Sequence, residues 1–125
     1  MKLLNNLIVC FALAALTNLV LANPVLAADS AGMGSITILS PTNDAVLQSD
    51  MENKLKFSVH LSPRGDHLHI YIDDQNPIIN RDLSRCPCSI VLPRLSPGKH
   101  TIVVKEATSG HVLTGVQGSV TATVK

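Results

Sequence analysis

The chain has 125 residues with 10 basic and 9 acidic side chains, a formal net charge of +1, and 2% aromatic residues with no tryptophan. A near-neutral balance without a basic cluster argues against the electrostatic footprint of a nucleic-acid binder, and so few aromatic rings leave stacking platforms for sugars or bases poorly supplied. The length predicts one domain.

Residues 1–27 predict a secretory signal peptide. Lys2 precedes an apolar run from Leu3 to Leu21, and Val25-Leu26-Ala27 followed by Ala28 presents the small residues a signal peptidase accepts. Cleavage after Ala27, with Ala28 as the alternative, leaves about 98 residues, a neutral formal charge, two cysteines (Cys86 and Cys88) and all five histidines. The rival is an uncleaved anchor, because the run approaches the roughly 20 residues that span a bilayer. Asn18, Pro24 and the alanine-rich exit favour cleavage, and Cys10 belongs to the apolar run. The expected location is therefore periplasmic or secreted, off the membrane once the leader is gone, in a compartment where cysteines oxidise.

Residues 28–35, "ADSAGMGS", predict a flexible segment, and 36–125 the folded domain. "ITIL" (36–39) reads as a first strand and "SPTNDAVL" (40–47) as a turn that re-enters a short extended piece. "KLKFSVHL" (54–61) alternates, with Leu55, Phe57, Val59 and Leu61 on one face and Lys54, Lys56, Ser58 and His60 on the other; this is the period of a half-buried strand. After "SPRGD", "HLHIYID" (67–73) alternates again, sending Leu68, Ile70 and Ile72 inward and His67, His69 and Tyr71 outward. "II" at 78–79, "CSIVL" (88–92) and "HTIVVKEA" (100–107) predict further strands, the last two separated by a Pro-Gly turn. Residues 108–118 read as a loop with two weak extended pieces, and "SVTATVK" (119–125) as the closing strand. No stretch after the leader holds a 3.6-residue period. About seven strands at this spacing predict an all-β, immunoglobulin-like antiparallel β-sandwich.

The pieces "ITILSPTNDAVL", "LHIYIDD" and "LPRLSPGKHTIVV" resemble, in order, the opening strand and turn, the central strand and the corner of small exported bacterial Ig-like domains with a His-x-His strand. That resemblance covers most of the mature chain and implies a fold; it implies no activity, because sandwiches host many roles. It also implies that His100 is a structural corner residue, bonded back to its turn. The inter-sheet cysteine pair and core tryptophan of antibody-type domains are absent from the sequence.

Histidines at i and i+2 of a strand share a face, with Cβ atoms roughly 7 Å apart. His67 and His69 are therefore candidate ligands for copper or zinc, which accept imidazole nitrogen, although a zinc site wants three or four ligands. His60 and the Cys86-Pro87-Cys88 pair are the candidates to complete the shell, with Asp66 placed to orient an imidazole. The bland alternatives are an exposed polar strand face for the histidines and a short-range disulfide, strained or redox-active, for the cysteines. Met33 and Met51 are soft donors in polar or flexible surroundings and read as linker residues; His111 reads as a solvated loop residue. Arg64-Gly65-Asp66 reads as a turn before it reads as an adhesion tripeptide, and Asp73-Asp74 as the end of a strand. With no nucleophile elbow and no converging carboxylate pair, the expectation is a non-enzymatic binding or accessory module of the bacterial envelope. Its partner would be an envelope protein or a metal ion, and the alternative function is a periplasmic copper- or zinc-binding protein using His67 and His69.

Overall fold

The structure, a computed structural model, describes residues 33–125. The expected signal peptide (1–27) and most of the expected flexible segment (28–35) lie outside the described residues. No helix occurs among the described residues. Eight strands follow in chain order: β1 (Ser35–Ser40), β2 (Ala45–Leu47), β3 (Lys54–His60), β4 (His67–Ile72), β5 (Ile78–Asn80), β6 (Cys88–Val91), β7 (Gly98–Ala107) and β8 (Leu113–Val124). They form a three-stranded sheet, β1-β3-β6, and a five-stranded sheet, β2-β8-β7-β4-β5. This is the expected Ig-like sandwich. All pairs are antiparallel except β2 with β8, where the chain leaving β1 switches sheets and runs parallel to the last strand.

The alternation in the sequence builds the core. Leu55 and Phe57 of β3 face Leu68, Ile70 and Ile72 of β4 and Ile102 and Val104 of β7, all buried in one apolar cluster. Side chains of this size contribute about 1.5–3 kcal/mol each when fully buried. Register keeps the two faces apart: Leu68 pairs with Glu106, Ile70 with Val104 and Ile72 with Ile102 toward the core. His67, His69 and Tyr71 pair with Ala107, Lys105 and Val103 on the outer face.

β8 is a correction. Residues 113–118, expected as loop, continue the strand and pair with β7, through Ala107↔Leu113, Lys105↔Gln117 and Val104↔Gly118. Their glycines and polar residues weaken the sequence pattern, yet Gly118 has a packing reason. A Cβ there would lie 2.7 Å from the Ile36 carbonyl oxygen, so only glycine lets β1 cross so close to β8. The expected closing strand is thus longer at its start, and the short extended piece after β1 is counted as β2, which gives eight strands where about seven were expected.

Two buried polar residues lock the ends of the sandwich. Glu106 points inward from β7 and is fully buried. Its Oε2 accepts from the Ser62 backbone N–H at 2.8 Å, and its Oε1 accepts from the Ser62 hydroxyl at 2.5 Å and the Thr114 hydroxyl at 2.7 Å. One carboxylate thus fastens the β3–β4 connection and β8 to β7. It also explains Gly65, where a Cβ would meet the Glu106 carboxyl at 2.5 Å; the Arg64-Gly65-Asp66 stretch is a turn, closed by Gly65 N–H donating to the Ser62 carbonyl. At the opposite end, His100 Nδ1 donates to Asp73 Oδ2 at 2.7 Å and Nε2 donates to the Ser96 carbonyl at 2.6 Å. Both ring nitrogens donate, so the ring is an imidazolium, and it bonds back to its own turn as a corner residue does.

These two contacts carry opposite pH dependences. The hydrogen bonds from Ser62 and Thr114, outweighing burial, hold Glu106 below the ordinary carboxylate range. Its contribution is complete above the unfolded value and is lost as pH falls through the folded one. Glu106→Gln should cost about 1–3 kcal/mol near neutral pH, read as a drop in urea midpoint that shrinks in acid. The hydrogen bonds to Asp73 and Ser96 raise His100 above its ordinary 6.5. Its contribution is complete below that value and is lost as pH rises through the folded one. His100→Gln should cost about 1–3 kcal/mol in mild acid, with the gap to wild type narrowing in alkali.

Candidate metal centre

The outer face of β4 presents His67 and His69 side by side, as two residues apart on a strand must be. It does not leave them exposed: His67 is fully buried and His69 is 6% exposed. The sequence expectation of an open polar face is corrected by what lies over it.

The first cover is the β7–β8 turn. Thr108 N–H donates to the Val112 carbonyl and His111 N–H to the Thr108 carbonyl, which closes residues 108–112 into a tight hairpin. His111 occupies the left-handed region at φ 63°. Hairpins of this length commonly need one left-handed residue, and glycine usually supplies it. Here the glycine, Gly110, stands one position earlier and histidine takes the strained place. That conformation turns the His111 ring back over β4. The second cover is Arg81, which follows β5. The pairing of Leu68 with Asn80 brings the next residue, Arg81, beside His67.

Three imidazole nitrogens converge. His67 Nε2 lies 3.0 Å from His69 Nε2 and 3.2 Å from His111 Nδ1, and His69 Nε2 lies 3.3 Å from His111 Nδ1. Among the described residues, these three form a cluster whose ligand atoms lie close enough together to hold one metal ion. Tetrahedral bonds of about 2.0–2.1 Å to zinc place neighbouring donors about 3.3–3.4 Å apart, so the observed triangle needs only slight expansion. Three lone pairs cannot face one another at such distances unless shared protons or a cation lie between them.

The surroundings prepare the donors. Asp66 Oδ2 accepts from His67 Nδ1 at 2.8 Å, which holds that ring's proton on Nδ1 and turns the Nε2 lone pair toward the cluster. The Tyr71 hydroxyl lies 3.4 Å from His69 Nδ1. Burial first, then the neighbouring His67, His111 and Arg81, lower the His69 pKa from its ordinary 6.5, so the ring is neutral, as a ligand must be. Arg81 reaches across the cluster, 3.2 Å from His111 Nε2, 3.4 Å from His67 Nδ1 and 3.5 Å from Asp66 Oδ2.

The other sequence candidates stand elsewhere. His60 ends β3, in the opposite sheet. Cys86 and Cys88 are joined to each other, and Cys88 is buried in β6, paired with Phe57 of β3. Sulfurs bonded to each other at the start of β6, in the three-stranded sheet, do not serve a site on the outer face of the five-stranded one. Met33 and Met51 are exposed on the surface, away from the three imidazoles. The third imidazole is His111, separated from His67 by 44 residues. Sequence reading passed over it because a loop histidine carries no periodic signal. The one local clue is the order Gly110-His111, with glycine misplaced for the turn.

No family model matches the chain, and no curated protein matches it. Solved structures do. The chain is similar to the fibronectin(III)-like modules of Clostridium thermocellum CbhA, with a TM-score of 0.56 at 16% identity over 72% of this chain and 95% of that one. It is more distantly similar to the extracellular domain of the hybrid two-component system BT4673 of B. thetaiotaomicron, with a TM-score of 0.46 and 12% identity over 67% of this chain and 12% of that one. The first likeness shows the fold alone, an Ig-like β-sandwich similar to those fibronectin(III)-like modules.

Proposed function

We propose that this protein is an exported, non-enzymatic Ig-like module that binds one copper or zinc ion through His67, His69 and His111. The observation that carries the reading is the triangle of three imidazole nitrogens at 3.0–3.3 Å. The Asp66 bond to the far side of His67 supports it, because an orienting carboxylate behind an imidazole is the usual companion of a histidine ligand. The strained backbone at His111 supports it too: a left-handed non-glycine residue costs roughly 1–2 kcal/mol, and that cost has a purpose if the ring must reach the cluster. Hard cations such as calcium and magnesium need oxygen donors, and this cluster contains none. Export rests on the apolar leader with its small-residue exit.

A second reading, docking to an envelope protein, draws on the exposed apolar residues Ile79, Val112 and Leu113, which flank His69 and His111 in register or in sequence. The two readings separate by titration of the purified chain with zinc and with copper.

The metal reading expects one ion per chain, bound at micromolar concentration or tighter. His67→Ala and His69→Ala should each weaken binding at least a hundredfold, whereas His60→Ala should leave it unchanged. The decisive variant is His111→Gly. Glycine suits the left-handed turn position, so the protein should keep or gain thermal stability while losing the ion. Undiminished binding in that variant, or none by the wild-type chain, would sink the assignment. Asp66→Asn tests the orienting role separately and should weaken binding about 10- to 100-fold.

A further inference from the structure

We propose that this same site, taking the three-imidazole reading as its basis, prefers the monovalent cuprous ion to divalent zinc or copper, and that Arg81 sets the preference. The argument starts from charge. The three donors, His67 Nε2, His69 Nε2 and His111 Nδ1, are imidazole nitrogens, which bring no negative charge, and the cluster they form includes no carboxylate or thiolate. Nothing in it cancels the charge of a dication. The carboxylate at the site, Asp66, already faces two groups: it accepts from His67 at 2.8 Å and lies 3.5 Å from Arg81.

The cation against the cluster is Arg81. Arg81 touches the outer nitrogens of two of the three rings. Lys105 of β7, opposite His69 in register, holds its ammonium 5.0 Å over the Tyr71 ring. Lys105 shares its cleft with Asp73 and Asp74, so the charges at the cluster are Arg81 and Asp66, which balance before any metal enters. A divalent ion adds two positive charges and a monovalent ion one. Two of the three rings, His67 and His69, are buried, and on that side of the ion an uncompensated charge is disfavoured more than in water, so the environment discriminates against the dication. Copper is the ordinary biological metal that accepts imidazole and has an accessible monovalent state. Selection here acts through charge, whereas softer sites select the same ion with sulfur ligands.

Arg81 also makes a contact that any metal must break. A guanidinium has no lone pair, so His111 Nε2 accepts the Arg81 N–H and the ring's proton sits on Nδ1. Once Nδ1 holds a cation, the proton moves to Nε2, which can no longer accept. That loss is the same for either oxidation state; the discrimination comes from charge alone.

The experiment compares affinities for cuprous ion, buffered anaerobically by a chromophoric chelator, and for zinc, in the wild-type chain, Arg81→Gln and Arg81→Lys at low ionic strength. In Arg81→Gln both affinities should rise, that for zinc about tenfold more than that for cuprous ion. For copper, a tenfold gain in divalent over monovalent binding lowers the one-electron potential by about 59 mV. Arg81→Lys keeps the charge and should keep wild-type discrimination. High salt, at about 0.5 M, should narrow the gap between wild type and Arg81→Gln, as screening requires. Equal gains for both ions would show that Arg81 acts only through its His111 contact, and unchanged affinities would show that it does not act; either overturns the charge-selectivity proposal and leaves the metal site standing. Failure of the wild-type chain to bind either ion overturns the underlying reading.

Discussion

The register between β4 and β7 is the constraint on which the rest depends. A strand has a side-chain period of two, so one choice of pairing decides both faces at once. With Ile70 opposite Val104, the even residues of β4 enter the core and the odd ones form the outer face. The same choice places Glu106 on the inner face and Ala107 opposite His67, where its small side chain leaves room for the folded-back turn. A slip of one residue would drive two imidazoles into the apolar core and turn Leu68 and Ile70 to solvent. Core stability therefore holds the candidate ligands in place, although the ligands contribute no apolar surface to that core.

The second element of the design is the division of labour between the sheets. The three-stranded sheet supplies Leu55, Phe57 and Cys88, which joins the apolar core and is linked to Cys86 just ahead of β6. The five-stranded sheet carries on its outer face the histidine cluster and the charged residues around it. Segment 81–87 leads from β5 in one sheet to β6 in the other, with Arg81 at its start and Cys86 near its end. Glu106 fastens the β3–β4 connection from beneath, so the residues just ahead of His67 are anchored through hydrogen bonds to a buried carboxylate. A charged group in that position is tolerated because its oxygens accept three hydrogen bonds, and among the described residues no buried side-chain polar atom lacks a partner.

Most of the fold was legible because it rests on alternation. β1, β3, β4 and β7 announce themselves through β-branched and aliphatic residues at every second position, and their partition into core and surface follows. β8 was harder, since Gly115, Gln117 and Gly118 suit a loop by composition and are strand only because β7 pairs with them. The candidate site divides in the same way. His67 and His69 stood out through local spacing, and Asp66 through adjacency. His111 and Arg81 come close only in three dimensions, one through a left-handed turn and the other through a strand register, and neither carries a periodic signature. Burial of the histidine pair was illegible for the same reason: its cover comes from residues distant in sequence.

The position of His111 at the tip of a hairpin has a mechanical consequence. Its ring meets His67 and His69 across 44 and 42 residues of chain, a span containing β5, β6 and β7. A cation shared by the three would close that span as a single non-covalent cross-link, removing much of the freedom an open loop of such length retains. The joined parts are a hairpin tip and the mouth of a strand, the places where a sandwich frays first. Such a clasp would work at the weak end of the sandwich rather than at its middle, so occupancy would register as the difference between an end that breathes and one that is shut.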